Sequence, residues 1–219
     1  MKKLIPIFLL FTLLPACTYN PLPSGGKNAN TRVVTTEARP AAGFLGVKVA
    51  NNIALELTVG ADFGVSVEGD ENLLKMLTTE VQEGHLIIAL GEKFPRGTRV
   101  PVKVSMPELK ELEVSGGSTA VVTGASGEKV RLQANGATNI KISGDVKELD
   151  AHAYGASIID AEALKAGTAT VEALGSSRVA VSPSTLLKAR TLGIANVTYT
   201  GDPKVEKSSS NSSSVKKKE

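Results

Sequence analysis

Apolar and polar residues alternate in short runs from Thr31 onward. "TRVVTTEA", "GVKVA", "IALELTVG", "GVSVEG", "LIIAL" and "RVPVKVS" alternate or are rich in β-branched residues over roughly four to eight positions, the signature of half-buried strands. Glu83 and Gly84 separate two such runs in "VQEGHLII", which predicts a hairpin. Only "ENLLKMLTT" has helical spacing, with Leu73, Leu74 and Leu77 on one side of a turn or two. The pattern predicts an all-β chain with small helical insertions at most.

From Leu109 the pattern becomes periodic. "VSGGSTAVVTG", "ANGATNIKISG", "AYGASIIDAEA", "ALGSSRVAVSP" and "TLGIANVTYTG" align on Gly116, Gly136, Gly155, Gly175 and Gly193, at spacings of 20, 19, 20 and 18 residues. Two and four positions before each glycine, and four and six after it, the residue is nearly always small or apolar: Ala134, Leu132, Ile140 and Ile142 in the second phrase, Ala173, Val171, Val179 and Val181 in the fourth. Repeats of this length with strand-like phrases and no helix predict a parallel β-solenoid, one coil of 18 to 20 residues per repeat. A coil supplies the long return path that parallel strands need. Glycine at the bend permits positive φ, and small residues suit a narrow interior. An antiparallel meander or sandwich is the alternative, but it does not require the same offsets five times over. The region before the repeats reads as more irregular β structure with the hairpin.

In such a stack, alternate positions face outward as ladders. Three before each glycine stand Glu113, Gln133, His152, Glu172 and Arg190; three after stand Thr119, Asn139, Ile158, Arg178 and Asn196. The first row is the candidate ligand-facing ladder, with a plain solvated surface as its alternative. Tyr154 lies just before its glycine, as a contact residue or as filler at a bend.

Both ends of the chain differ from this body. "MKKLIPIFLLFTLLPAC" has two lysines, an apolar run too short to span a bilayer comfortably, and small residues before Cys17, which is the pattern of a secretory signal over residues 1–16. "LPAC" resembles the bacterial lipobox, and the resemblance implies cleavage before Cys17 and acylation of its thiol. As the only cysteine, Cys17 has no partner for an internal disulfide. Two or more acyl chains give stable anchoring at roughly 0.8 kcal/mol per buried methylene. Thr18, rather than aspartate, after Cys17 favours the outer membrane in such lipoproteins. Residues 17–30, "CTYNPLPSGGKNAN", read as a flexible tether with an end-to-end distance of roughly 20 Å. The last segment, 204–219, is "KVEKSSSNSSSVKKKE", a polar low-complexity stretch expected to be disordered.

Charge adds little in favour of nucleic acid. The chain's formal +3 equals the balance of residues 204–219, with five lysines and two glutamates, so residues 1–203 sum to zero. Five Phe, three Tyr and no Trp weaken base and sugar stacking as binding modes. His85 and His152 have no cysteine or second histidine nearby to complete a zinc set. No GxSxG elbow occurs, "SGEK" at residues 126–129 reads as a turn, and "GDENLLK" at 69–75 lacks the ligand alternation of a calcium loop. No catalytic, metal or cofactor site is expected.

Residues 31–203 resemble the head GIN domain family of adhesin-like exported bacterial proteins. The resemblance rests on the order of phrases: the opening "GFLGVKVANNIALELTVG", the segment Val67 to Leu74, the strand Leu86 to Ile88 after a glycine turn, and Met106 to Gly116 leading into the repeats. It implies an all-β fold of stacked parallel strands and brings no catalytic residues. The expected protein is a membrane-anchored, non-enzymatic envelope lipoprotein that binds, adheres or scaffolds. A carbohydrate-binding or carbohydrate-processing envelope protein is the alternative. The expected partners are the membrane and an envelope protein or polysaccharide, with further copies through solenoid edges.

Overall fold

The computed structural model describes residues 34–91, 94, 97–210 and 212–218. The predicted signal over 1–16, Cys17 and the tether of 17–30 lie outside the described residues. From the N-terminal side the elements are β1 (Thr35–Ala38), β2 (Gly46–Ala50), β3 (Ile53–Val59), β4 (Gly64–Gly69), α1 (Glu71–Lys75), β5 (Leu77–Gln82), β6 (His85–Leu90), β7 (Val100–Met106) and β8 (Glu111–Ser115). Then come the long strands β9 (Thr119–Gly136), β10 (Asn139–Gly155), β11 (Ile158–Gly175) and β12 (Arg178–Gly193), followed by β13 (Asn196–Tyr199), β14 (Lys204–Ser209) and β15 (Ser214–Lys217).

These strands form a parallel β-solenoid. After each glycine bend the chain enters a first wall, with strand order β1-β4-β7-β3-β9-β10-β11-β12-β13-β15. It then rounds a corner and returns along a second wall, where β5, β6, β2 and β8 lead to the far halves of β9 to β12 and then to β14. The "SGEK" segment lies at that corner inside β9, where Gly127 has φ 116°. Pairing within the repeats is parallel, with Ile140 opposite Ile159 and Gly136, Gly155, Gly175 and Gly193 in one column. That register excludes the antiparallel sandwich.

The inward columns follow from strand alternation. Leu132, Ala134, Ile140 and Ile142 are fully buried, as are Ala151, Ala153 and Ile159 in the next coil. Each fully buried aliphatic of Val, Leu or Ile size contributes about 1.5–3 kcal/mol. Close stacking explains the bend glycines. Gly175 has φ +80°, and a Cβ there would sit 2.9 Å from the carbonyl oxygen of Gly155; at Gly193 the corresponding distance is 2.7 Å. Beside the bends, the hydroxyls of Thr138, Ser157 and Ser177 are buried with no hydrogen-bond partner among the described residues, whereas Ser118 accepts from the Ile53 amide at 3.1 Å.

The region before the repeats belongs to the same stack. β2 and β3 pair in parallel with β8 and β9, and β6 and β7 pair with β2 and β3 in turn. The stack order therefore differs from the chain order, which hides the period from any linear alignment. The bend in this layer is made by Asn51 and Asn52 at φ 63° and 65°, two residues that tolerate the left-handed region without being glycine. The predicted hairpin is present, with β5 antiparallel to β6 about Glu83 and Gly84, both at positive φ. The helix is shorter than the leucine spacing predicts. Asp70 caps it by accepting from the Leu73 amide, and Leu77 leaves it to pair with Leu90 as the first residue of β5.

The C-terminal segment departs most from expectation. Composition predicts disorder over residues 204–219, yet β14 pairs with β12 and β15 with β13, completing one more coil at an offset of 18 residues. Composition accounts only for apolar burial, whereas β12 and β13 offer this segment open rows of backbone donors and acceptors. Val215 is buried and Val205 packs at the core's margin, so the two valines fall on inward columns. Thr191 bonds the hydroxyls of Ser209 and Ser213, and Lys218 pairs with Glu162.

Candidate functional site

The second wall carries the candidate ladder. Register places Lys48, Glu113, Gln133, His152, Glu172, Arg190 and Ser208 in a single row across successive strands. Neighbouring strands lie about 4.8 Å apart, close enough for each side chain to reach the next. Lys48 Nζ lies 3.7 Å from Glu113, which accepts from Asn135 at 3.3 Å. Among the described residues Gln133 makes no side-chain bond in this row, so the ladder divides there into two groups.

The second group is the denser. Tyr154 donates its hydroxyl to Glu172 Oε2 at 2.8 Å, and Arg190 donates to Oε1 at 3.0 Å. His152 spans two carboxylates: Nε2 lies 2.8 Å from Asp150, and Nδ1 lies 3.4 Å from Glu172 and 3.2 Å from the Tyr154 oxygen. The Tyr154 hydrogen bond, with help from His152 and Arg190, holds the Glu172 carboxyl below its ordinary value despite partial burial. Burial and the neighbouring Glu172 push the Tyr154 phenol up. Glu172 is thus a fixed anion. A general acid needs the opposite, a carboxyl raised toward neutrality.

Asp150 lies off the row of the ladder, as does Tyr154, which the sequence offers as a contact residue or as filler at a bend. Their signal is nonetheless present in one phrase, "DAHAY" at residues 150–154, where three polar side chains alternate with buried Ala151 and Ala153 and so share the outward face. A groove of about 520 Å³ runs beside this cluster, lined by His152, Thr170, Glu172, Lys188, Arg190 and Lys207 among others. The other outward row, Thr119, Asn139, Ile158, Arg178 and Asn196, is likewise in register on the first wall.

His85 is tied into the fold on a separate column. Its Nε2 meets Glu111 at 3.0 Å by reaching across Gly46, where a Cβ would lie 2.2 Å from the ring. Among the described residues, no three His, Cys, Asp or Glu are grouped to hold a metal ion, and no helix is long and apolar enough to cross a membrane.

The family model for "Putative auto-transporter adhesin, head GIN domain" matches residues 43–203. The chain belongs to that family. Solved structures share the GIN domain's fold at low identity. A putative adhesin from Bacteroides fragilis aligns with TM-score 0.71 at 15% identity, covering 84% of this chain and 96% of that one. A putative adhesin from Parabacteroides merdae gives 0.54 at 18%, covering 87% and 98%. A putative lipid binding protein from Parabacteroides distasonis gives 0.51 at 20%, covering 85% and 97%. No curated protein matches this chain.

Proposed function

We propose that this GIN domain is the non-catalytic binding module of an exported lipoprotein, tethered through acylated Cys17 to the outer membrane, and that the second-wall ladder is its contact surface. The observation that carries the reading is the tie-up of Glu172 by Tyr154, His152 and Arg190 on an in-register wall. Such a cluster presents fixed charge and hydrogen-bonding groups to a partner without a free acid or nucleophile. Membership of an adhesin family supports a binding role. The anchor rests on the "LPAC" motif.

Two measurements test the two halves of this reading. Metabolic palmitate labelling should be strong in the native chain and absent in Cys17→Ala; equal labelling in both removes the anchor. Pull-down from native envelopes should recover a partner whose yield falls at least about tenfold in a Glu172→Gln, Arg190→Gln variant, as expected for loss of a charge-assisted contact. Unchanged recovery would move the contact surface off this ladder.

The groove beside Glu172 and His152 favours a second reading, in which the partner is a saccharide of the envelope. Binding on a glycan array that is lost in the same variant supports it. Product release from the bound glycan would make the protein an enzyme and overturn the first reading.

A further inference from the structure

Charge is segregated along the stack. From Arg178 to Lys218 the chain carries eight Lys and Arg against two Asp and Glu, whereas from Val34 to Ser177 it carries thirteen against nineteen. The basic stretch comprises β12 to β15, so one end of the solenoid is cationic and the rest is acidic. Four of the eight cations are answered by carboxylates: Arg190 by Glu172, Lys204 by Glu206, Lys217 by Asp202 and Lys218 by Glu162. The other four, Arg178, Lys188, Lys207 and Lys216, are exposed and form no ion pair among the described residues, Lys188 standing opposite Glu206 across the strand pair.

The same end carries an apolar projection. Leu192 and Ile194 straddle the bend at Gly193 and are 41% and 59% exposed. Leu192 continues a column in which Tyr154 and Leu174 precede it, whereas the coil that follows carries Ser210 and Ser213 beside this bend, so the apolar projection is confined to Leu192 and Ile194. Backbone geometry explains why a bend needs Gly193, but it places no demand for aliphatic side chains at the flanking positions.

We propose that the Leu192–Ile194 bend, together with Arg178 and Lys188 of β12, Lys207 of β14 and Lys216 of β15, is a docking surface for a bilayer rich in anionic lipid. The two aliphatic side chains enter the boundary between headgroups and acyl chains, and the four unpaired cations meet the headgroups. A soluble polyanion satisfies the cations but gives the aliphatic pair no apolar medium. A glycan is disfavoured by the absence of tryptophan and by the aliphatic rather than aromatic character of the projection. The surface is independent of acylation at Cys17, and it shares Lys188 and Lys207 with the groove beside the second-wall ladder.

The chain has no tryptophan, so a single introduced one reports its own position. The full chain carrying Cys17→Ser and Ile194→Trp is titrated with vesicles of phosphatidylglycerol and phosphatidylethanolamine, and with vesicles of phosphatidylcholine alone. The control reporter is Val121→Trp, at a site on the first wall that is 46% exposed. At Ile194→Trp we expect a blue shift and quenching by brominated acyl chains on the anionic vesicles only. The lipid concentration for half-saturation should rise at least about tenfold when Arg178, Lys188, Lys207 and Lys216 become Gln. Leu192→Ser on the same background should weaken quenching while circular dichroism stays unchanged.

A shift of equal size on phosphatidylcholine or at Val121→Trp overturns the proposal, since the N-terminal apolar segment then does the binding. Salt-sensitive binding without acyl-chain quenching overturns it in favour of a polyanion contact. A shift that depends on protein concentration without vesicles overturns it in favour of a second copy, whose acidic body would be the partner.

Discussion

The middle coils and the last coil share one backbone plan and differ in what they enclose. In β10 and β11 the inward columns are filled by Ile140, Ile142, Leu149, Ile159 and Leu164, all fully buried. In the coil of β14 and β15 the same columns hold Val205, Lys207, Ser209, Val215 and Lys217, and the two lysines are exposed. Strand pairing continues through both. Backbone hydrogen bonding and apolar burial are therefore separable in this fold: the pairing propagates the coil, and the apolar filling decides how strongly each coil holds. Terminal repeats of solenoids need such polar capping, and lysine on an edge strand discourages further pairing.

The largest expected effect separates these two regions directly. Ile159→Ala should lower stability by about 2–5 kcal/mol, as cavity-forming changes in packed cores do, whereas Val215→Ala should cost less than about 1 kcal/mol at a margin where the coil can relax. Urea denaturation of both variants checks the contrast, and equal losses would show the last coil to be as firmly packed as the middle. Next comes the bend. Gly175→Ala should cost about 1–3 kcal/mol, from a strained positive φ and the approach to the Gly155 carbonyl; calorimetry of that variant beside Gly84→Ala, where no atom would meet the new Cβ, isolates the stacking contribution.

A smaller effect concerns acid. Glu172 is held below its ordinary value of 4.5, so its contribution is present above that pH and is lost as pH falls through its lower folded value. Glu172→Gln should therefore lie closest in stability to the native chain below pH 4 and furthest from it near neutrality; a parallel pH profile for the two would remove the stabilising role of the cluster. The smallest effect is at the buried hydroxyls. Ser157→Ala removes a polar group that has no partner and should leave stability within about 1 kcal/mol or raise it. A clear loss in thermal melting would show that the hydroxyl is bonded after all.

Legibility in the sequence tracks how local each cause is. Gly136, Gly155, Gly175 and Gly193 stand out in the sequence because positive φ at a tight bend is a demand on one residue. The ladder from Glu113 to Arg190 followed from the same offsets. Tyr154 stands out beside its glycine, whereas Asp150 is legible only along the strand, in "DAHAY", and not across strands. The layer of β2 and β3 was harder, because Asn51 and Asn52 replace the glycine and the next layer in the stack is not the next in the chain. The terminal coil was hidden by its serines and lysines, whose composition is that of disordered segments.

Alternation and period by themselves determined which side chains face inward and where each coil bends, since both depend on backbone conformation over a few residues. Tertiary structure alone decided that β6 and β7 stack outside β2 and β3, that the polar C-terminal segment joins the stack, and that Asp150, His152, Tyr154, Glu172 and Arg190 meet. The physical reason is shared by all three. Each depends on which strand edges find one another, and the backbone groups that make those pairings are the same in every residue but proline.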